Sequence, residues 1–122
     1  MSMSDSSQDE KLINLTYLKE NISDELDFIN ELLGLFKVSN VEDMQTLNNS
    51  VRDSSYDSIK KMAHKMKSSF MSLGMQRTAE LLIQLENLAK EEADVDSIQP
   101  VMDKVNKDFA QIIEEIDTLL GQ

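Results

Sequence analysis

Residues 97–121 read SIQPVMDKVNKDFAQIIEEIDTLLG, and the spacing of their apolar residues decides the fold class. Ile98, Val101, Met102, Val105, Phe109, Ile112, Ile113, Ile116, Leu119 and Leu120 recur at intervals of three and four, the signature of one face of an α-helix. Asp96 or Ser97 is the expected N-cap, Pro100 is tolerated in a first turn, and Gly121 closes the run. The alternation that a strand requires is absent.

The same period runs back through the chain. Residues 75–90 put Ala79, Leu82, Leu85 and Ala89 on one face. Before them, Ile59, Met62, Ala63, Met66, Phe70 and Leu73 form the stripe of another helix, with Gly74 as its terminator. A longer helix carries Leu26, Ile29, Leu33, Phe36, Met44, Leu47 and Val51, capped by Ser23 or Asp24 and interrupted by polar Asn40. Gly34 within it costs about 1 kcal/mol relative to Ala, which points to a close helix contact or a bend. Ile13 to Glu20 is a short leading helix. The connections are Ser54-Ser55-Tyr56-Asp57, ending in an N-cap, and Glu91 to Asp96. Four amphipathic helices with short links are buried most economically as an all-α, up-down-up-down antiparallel four-helix bundle with a short N-terminal helix. The heptad-like spacing of the last helix also suits a coiled-coil dimer, but short links favour an intramolecular bundle and a monomer.

Composition narrows the functions. There is no Cys, so thiolate metal sites and disulfides are excluded, and the single His rules out a multi-histidine metal centre. With 12 basic and 23 acidic residues, the net charge of −11 is wrong for a general nucleic-acid binder. No apolar run is long enough to span a membrane, and MSMSDSSQDE at the N-terminus has neither the basic nor the apolar region of a signal peptide. A cytoplasmic protein is expected. Residues 1–12 read as a disordered polar tail ahead of a helical domain at 13–122, and Met1 with that tail fits a standalone protein.

His64 misses the stripe of its helix and shares an outward strip with Lys60, Lys61, Lys67, Ser68 and Met71. Between Ser58 and Ala79 there is no acidic residue, whereas Lys60, Lys61, Lys65, Lys67 and Arg77 all fall there. The expectation is a positive island around the only imidazole. Such an island keeps the ring neutral and nucleophilic, and suits it to receive a phosphoryl group. Lys67, one turn along, can offset the new negative charge, and the Ser68 hydroxyl can donate a hydrogen bond to it.

The surrounding string, Ala63-His64-Lys65-Met66-Lys67-Ser68-Ser69-Phe70-Met71-Ser72-Leu73-Gly74, resembles the signature of histidine-containing phosphotransfer (HPt) domains, A-H-x-[LIM]-K-G-[SA]-[SA] followed by Leu-Gly. The resemblance continues through Met75-Gln76-Arg77 and Ala79 to Leu85-Glu86, and upstream to Leu32-Leu33-Gly34-Leu35-Phe36, covering about Leu15 to Leu120. It implies a phosphocarrier of a multistep, two-component phosphorelay that takes a phosphoryl group from one receiver-domain aspartate and passes it to another. His64 matches the phosphoacceptor and Lys67 the residue that steadies the phosphoryl group, with Ser68 and Ser69 as local polar support. Ser68 departs from the family's usual Gly, which lets a receiver approach closely; slower transfer or a narrower choice of partner follows. The implied partners are response-regulator receiver domains and a hybrid sensor histidine kinase. Mg²⁺ belongs on the receiver, and no cofactor, metal or autonomous turnover is expected of this chain.

Phe28, Leu32 and Leu35 form a second apolar strip, expected to pack beneath Leu15 and Leu18; exposure beside Met71 would instead offer an apolar patch to a receiver helix. Two other readings compete. One is an HPt-like scaffold that binds a partner without transfer, favoured by Ser68 alone. The other is an acyl carrier protein, whose modified Asp-Ser-Leu is imitated by Asp57-Ser58-Ile59, although lysines follow where acidic residues are usual. Glu114 and Glu115, adjacent on one helix, read as solvated rather than as a catalytic pair.

Overall fold

The computed structural model describes residues 10–121, which form five helices and no strand: α1 (Leu15–Asn21), α2 (Leu26–Arg52), α3 (Tyr56–Ser72), α4 (Gln76–Lys90) and α5 (Val95–Leu119). Most of the expected polar tail, residues 1–9, lies outside the described residues. Each long helix packs on the next, and α5 packs back on α2, so the four apolar stripes meet in one core. Phe70 is fully buried at their centre, with Phe36 edge-on at 4.9 Å and Phe109 at 6.3 Å between ring centroids. Leu33, Leu47, Ile59, Met66, Leu82 and Ile112 are likewise inaccessible, each stabilising the fold by about 1.5–3 kcal/mol relative to exposure. Leu26, at the start of its stripe, is exposed, and Met62 and Leu73 are only partly buried.

The three links between long helices share one device. Ser54, Gly74 and Glu92 adopt positive φ of 53°, 78° and 52°, and the N–H that follows each returns to a carbonyl five residues back. These bonds are Ser55 to Ser50 at 2.9 Å, Met75 to Phe70 at 2.9 Å and Ala93 to Leu88 at 3.0 Å. Each is a Schellman ending, which satisfies orphan carbonyls and stops the helix within a few residues. Only Gly74 announces it in the sequence, and the N-caps that follow the other two links lie upstream of expectation. Ser55, not Asp57, is the N-cap of α3, and Asp57 sits in the first turn beside the positive end of the helix. Asp94, rather than Asp96 or Ser97, caps α5, its side chain accepting from the Ser97 N–H. Pro100 thus stands in the second turn and leaves the Asp96 carbonyl without its α-helical donor. Glu25, not Ser23 or Asp24, is the N-cap of α2. That helix runs unbroken through Gly34, where a Cβ would lie 3.9 Å from Leu120, so no close contact requires the glycine.

Ahead of α1 the chain is already packed. Leu12 and Ile13 are buried, and their N–H groups donate to the two carboxylate oxygens of Glu115 at 3.0 and 2.9 Å. Glu115 is therefore a buried anchor and not a solvated residue, a correction that its long-range partners explain.

Candidate functional site

The third helix carries His64 outward, with its side chain 63% exposed, and places Lys67 and Ser68 one turn further along the same face. Ala63, Met66 and Phe70 lock that helix into the core, so the orientation of His64 is fixed by packing on the opposite side. α4 completes the site. It lays Glu86 against the ring, with Oε2 3.1 Å from His64 Nδ1 and the carboxylate side chain only 10% exposed. Lys67 Nζ lies 3.4 Å from the same Nδ1 and 3.5 Å from Glu86 Oε1, and Lys90 Nζ lies 3.9 Å from Oε2.

A carboxylate can only accept and an ammonium can only donate, so Glu86 at 3.1 Å and Lys67 at 3.4 Å compete for opposite tautomers at Nδ1. The shorter contact, to Glu86, favours the proton on Nδ1 and, in the neutral ring, the lone pair on Nε2. Glu86 is the residue that sequence reasoning missed as part of the site. Its signal was the Leu85-Glu86 pair on the next helix, but nothing in the spacing told which way that carboxylate faced.

The positive island does not survive folding. Each of its five cations has a carboxylate within 4.0 Å: Lys60 and Lys61 share Asp57, Lys65 meets Asp43, Lys67 meets Glu86 and Arg77 meets Asp108. Most of these anions come from other helices, so an acid-free stretch of sequence becomes a paired surface in space. The nearest charged atom to the imidazole belongs to a carboxylate, not to a lysine. Arg77 is turned away into a different cluster. It donates to both oxygens of the buried Asp108, which also accepts from the Thr78 hydroxyl, and this hydrogen bonding holds the guanidinium above its ordinary pKa despite burial.

The two serines separate. Ser68 is exposed and its hydroxyl donates to the backbone carbonyl of His64 at 3.5 Å. Ser69 is half-buried and faces α2, where with Ser72, Leu73, Leu32, Leu35, Phe36, Ser39 and Asn40 it lines a groove beside the site. The strip of Phe28, Leu32 and Leu35 is not covered by α1 as expected: Phe28 is 43% and Leu35 63% exposed, with Met71 at 41%. Apolar side chains are therefore exposed on α2, and Met71 is exposed about two turns along α3 from His64. Ser58, the acyl-carrier candidate, is half-buried with its hydroxyl 2.6 Å from that of Ser50. Among the described residues no three His, Asp or Glu side chains group to hold a metal ion, and no helix is long and apolar enough to cross a membrane.

The site is thus an exposed imidazole on one helix of the bundle, paired at Nδ1 with a carboxylate from the next helix. Residues 31–122 match the model of the Hpt domain family, and the chain belongs to that family, whose members act in phosphorelays. No curated protein and no solved structure matches the chain.

Proposed function

We propose that the protein is the phosphocarrier of a multistep phosphorelay, with Nε2 of His64 as the nucleophile. The observation that carries this reading is the 3.1 Å contact between Nδ1 and the buried Glu86 carboxylate, which directs the proton to one nitrogen and the lone pair of the other to solvent. In the forward step, Nε2 attacks the phosphorus of a receiver's aspartyl phosphate, the P–O bond breaks, and the carboxylate leaves. Lys67, whose ammonium sits 3.4 Å from the ring, swings to the phosphoryl oxygens. The exposed Ser68 hydroxyl exchanges its weak intrahelical bond for one of them, and Ser69 supports the groove wall rather than the ring. Mg²⁺ and the activation of the aspartate belong to the receiver, so this chain supplies position, charge and a docking face and has no turnover of its own.

The exposed Phe28, Leu35 and Met71 are the face on which a receiver helix docks, whether that receiver belongs to a hybrid sensor histidine kinase or to a response regulator. Short Schellman links and sequential packing support an up-down-up-down antiparallel bundle; the proposed carrier acts as a monomer in the cytoplasm. The test is exposure of the chain and His64→Ala to a receiver phosphorylated with acetyl phosphate and Mg²⁺. An acid-labile phosphoryl adduct on the wild type, absent from the variant, supports the reading. An adduct that survives the loss of His64 overturns the site. No adduct from several receivers would favour the scaffold, with Ser68→Gly the next protein to compare.

A further inference from the structure

We propose that Glu86 sets the lifetime of the phosphoryl group on His64, holding the proton on Nδ1 so that the loaded ring departs as a neutral imidazole. This rests on the phosphocarrier reading and concerns the step after loading. Glu86 is the one carboxylate among the described residues that reaches the ring, and it does so from a nearly buried position on α4. The other charges that face it are cations: Lys67 from α3 and Lys90 from its own helix. Lys65 is drawn off by Asp43 of α2 at 3.1 Å, and Lys61 by Asp57 at 3.1 Å.

When the phosphoryl group moves on, the P–Nε2 bond breaks and its electron pair returns to Nε2. The phosphorus is taken by a carboxylate oxygen of a receiver or by the oxygen of water, which gives up its proton to solvent. With a proton on Nδ1 the departing ring is neutral imidazole; without it the ring must leave as an imidazolide anion, a far poorer leaving group. Nδ1–H has a charge-assisted acceptor in Glu86 at 3.1 Å, a shorter contact than the opposing one from the Lys67 ammonium at 3.4 Å. The same carboxylate opposes the phosphoryl dianion and competes with it for Lys67 and Lys90, so their hold on it is weakened. Three effects act in one direction, and they make His64 a quick donor rather than a store. Glutamine at position 86 keeps the size, removes the charge, frees both lysines and can donate to an unprotonated Nδ1. Glu86 acts through the histidine and is a positioning residue.

The full chain and Glu86→Gln are loaded with phosphoramidate, whose P–N bond breaks with release of ammonia. The donor is removed, and the phosphoryl mass is followed across buffers from mildly acidic to mildly alkaline. The expected result is a roughly tenfold longer lifetime for the variant near neutral pH, the ratio set by exchanging a charged for a neutral hydrogen bond. The wild-type loss rate stays nearly level across the series, whereas that of the variant falls as the pH rises. Equal lifetimes with superposable profiles, at unchanged helicity, overturn the proposal. If the variant loads poorly, the wild-type profile alone decides, since a rate that falls steeply with rising pH, as for free phosphohistidine, also overturns it. A wild type that takes no phosphoryl group on His64 overturns both this and the phosphocarrier reading, whereas a loaded wild type with the wrong profile overturns only this one.

Discussion

Replacement of Glu115 by Ala should unfasten the N-terminal segment, and the loss can be sized from the structure. Glu115 accepts the N–H groups of Leu12 and Ile13 at 3.0 and 2.9 Å, and the Gln111 amide at 2.8 Å. Hydrogen bonds to a charged acceptor stabilise by about 1.5–3 kcal/mol each, so the two backbone donors alone represent roughly 3–6 kcal/mol if they stay buried. They need not stay buried. The segment can detach, giving its amides to water and losing the burial of Leu12 and Ile13, about 1.5–3 kcal/mol each. Freed backbone recovers roughly 1 kcal/mol of entropy for each of the few residues released. Detachment therefore caps the destabilisation at about 2–3 kcal/mol. With a urea dependence near 1–2 kcal/mol/M, the unfolding midpoint falls by roughly 1–3 M. Amide exchange supplies the second readout: Leu12 and Ile13 lose protection while the α3 core keeps it. Glu114→Ala, at an exposed neighbour, should stay within about 0.5 kcal/mol of the wild type. Equal, small shifts for both variants, or retained protection at Leu12 and Ile13, would refute the reasoning.

Two further predictions follow from other parts of the molecule. Gly74→Ala forces a side chain into φ +78° and brings its Cβ within 2.9 Å of the Tyr17 ring, so it should destabilise by more than about 1 kcal/mol, while Gly34→Ala, with only Leu120 at 3.9 Å, should stabilise by up to about 1 kcal/mol; thermal denaturation compares the pair. Lys67→Ala should lower the rate of phosphoryl uptake by about tenfold, the value of one charge-assisted contact, with circular dichroism unchanged, and stopped-flow or quenched transfer from a charged receiver measures it.

What the sequence disclosed and what it withheld divide along a physical line. Apolar periodicity and the i, i+3, i+4 neighbours of His64 are properties of a single helix, so the stripes through Leu33, Phe70 and Ile112 and the outward pairing of His64 with Lys67 were legible. Contacts between helices were not. Glu86, Asp43, Asp108 and Glu115 are acidic residues that spacing alone places in solvent, yet each is buried against a donor on another segment. The loss of the positive island is the same effect seen from the cationic side. The exposure of Phe28 and Leu35 was missed because it depends on where the short α1 comes to rest. All three links were legible, but the capping geometry of two was hidden because Ser54 and Glu92 take a conformation that glycine alone would have advertised.

The central claim is that His64 relays a phosphoryl group, and a two-receiver chase tests it most directly. A receiver carrying labelled aspartyl phosphate is mixed with the chain, removed, and replaced by a second, unlabelled receiver with Mg²⁺. The account predicts that label appears on the wild-type chain, moves to the second receiver, and does neither with His64→Ala. Label that passes through the His64→Ala chain, or a wild type that accepts none, would contradict it.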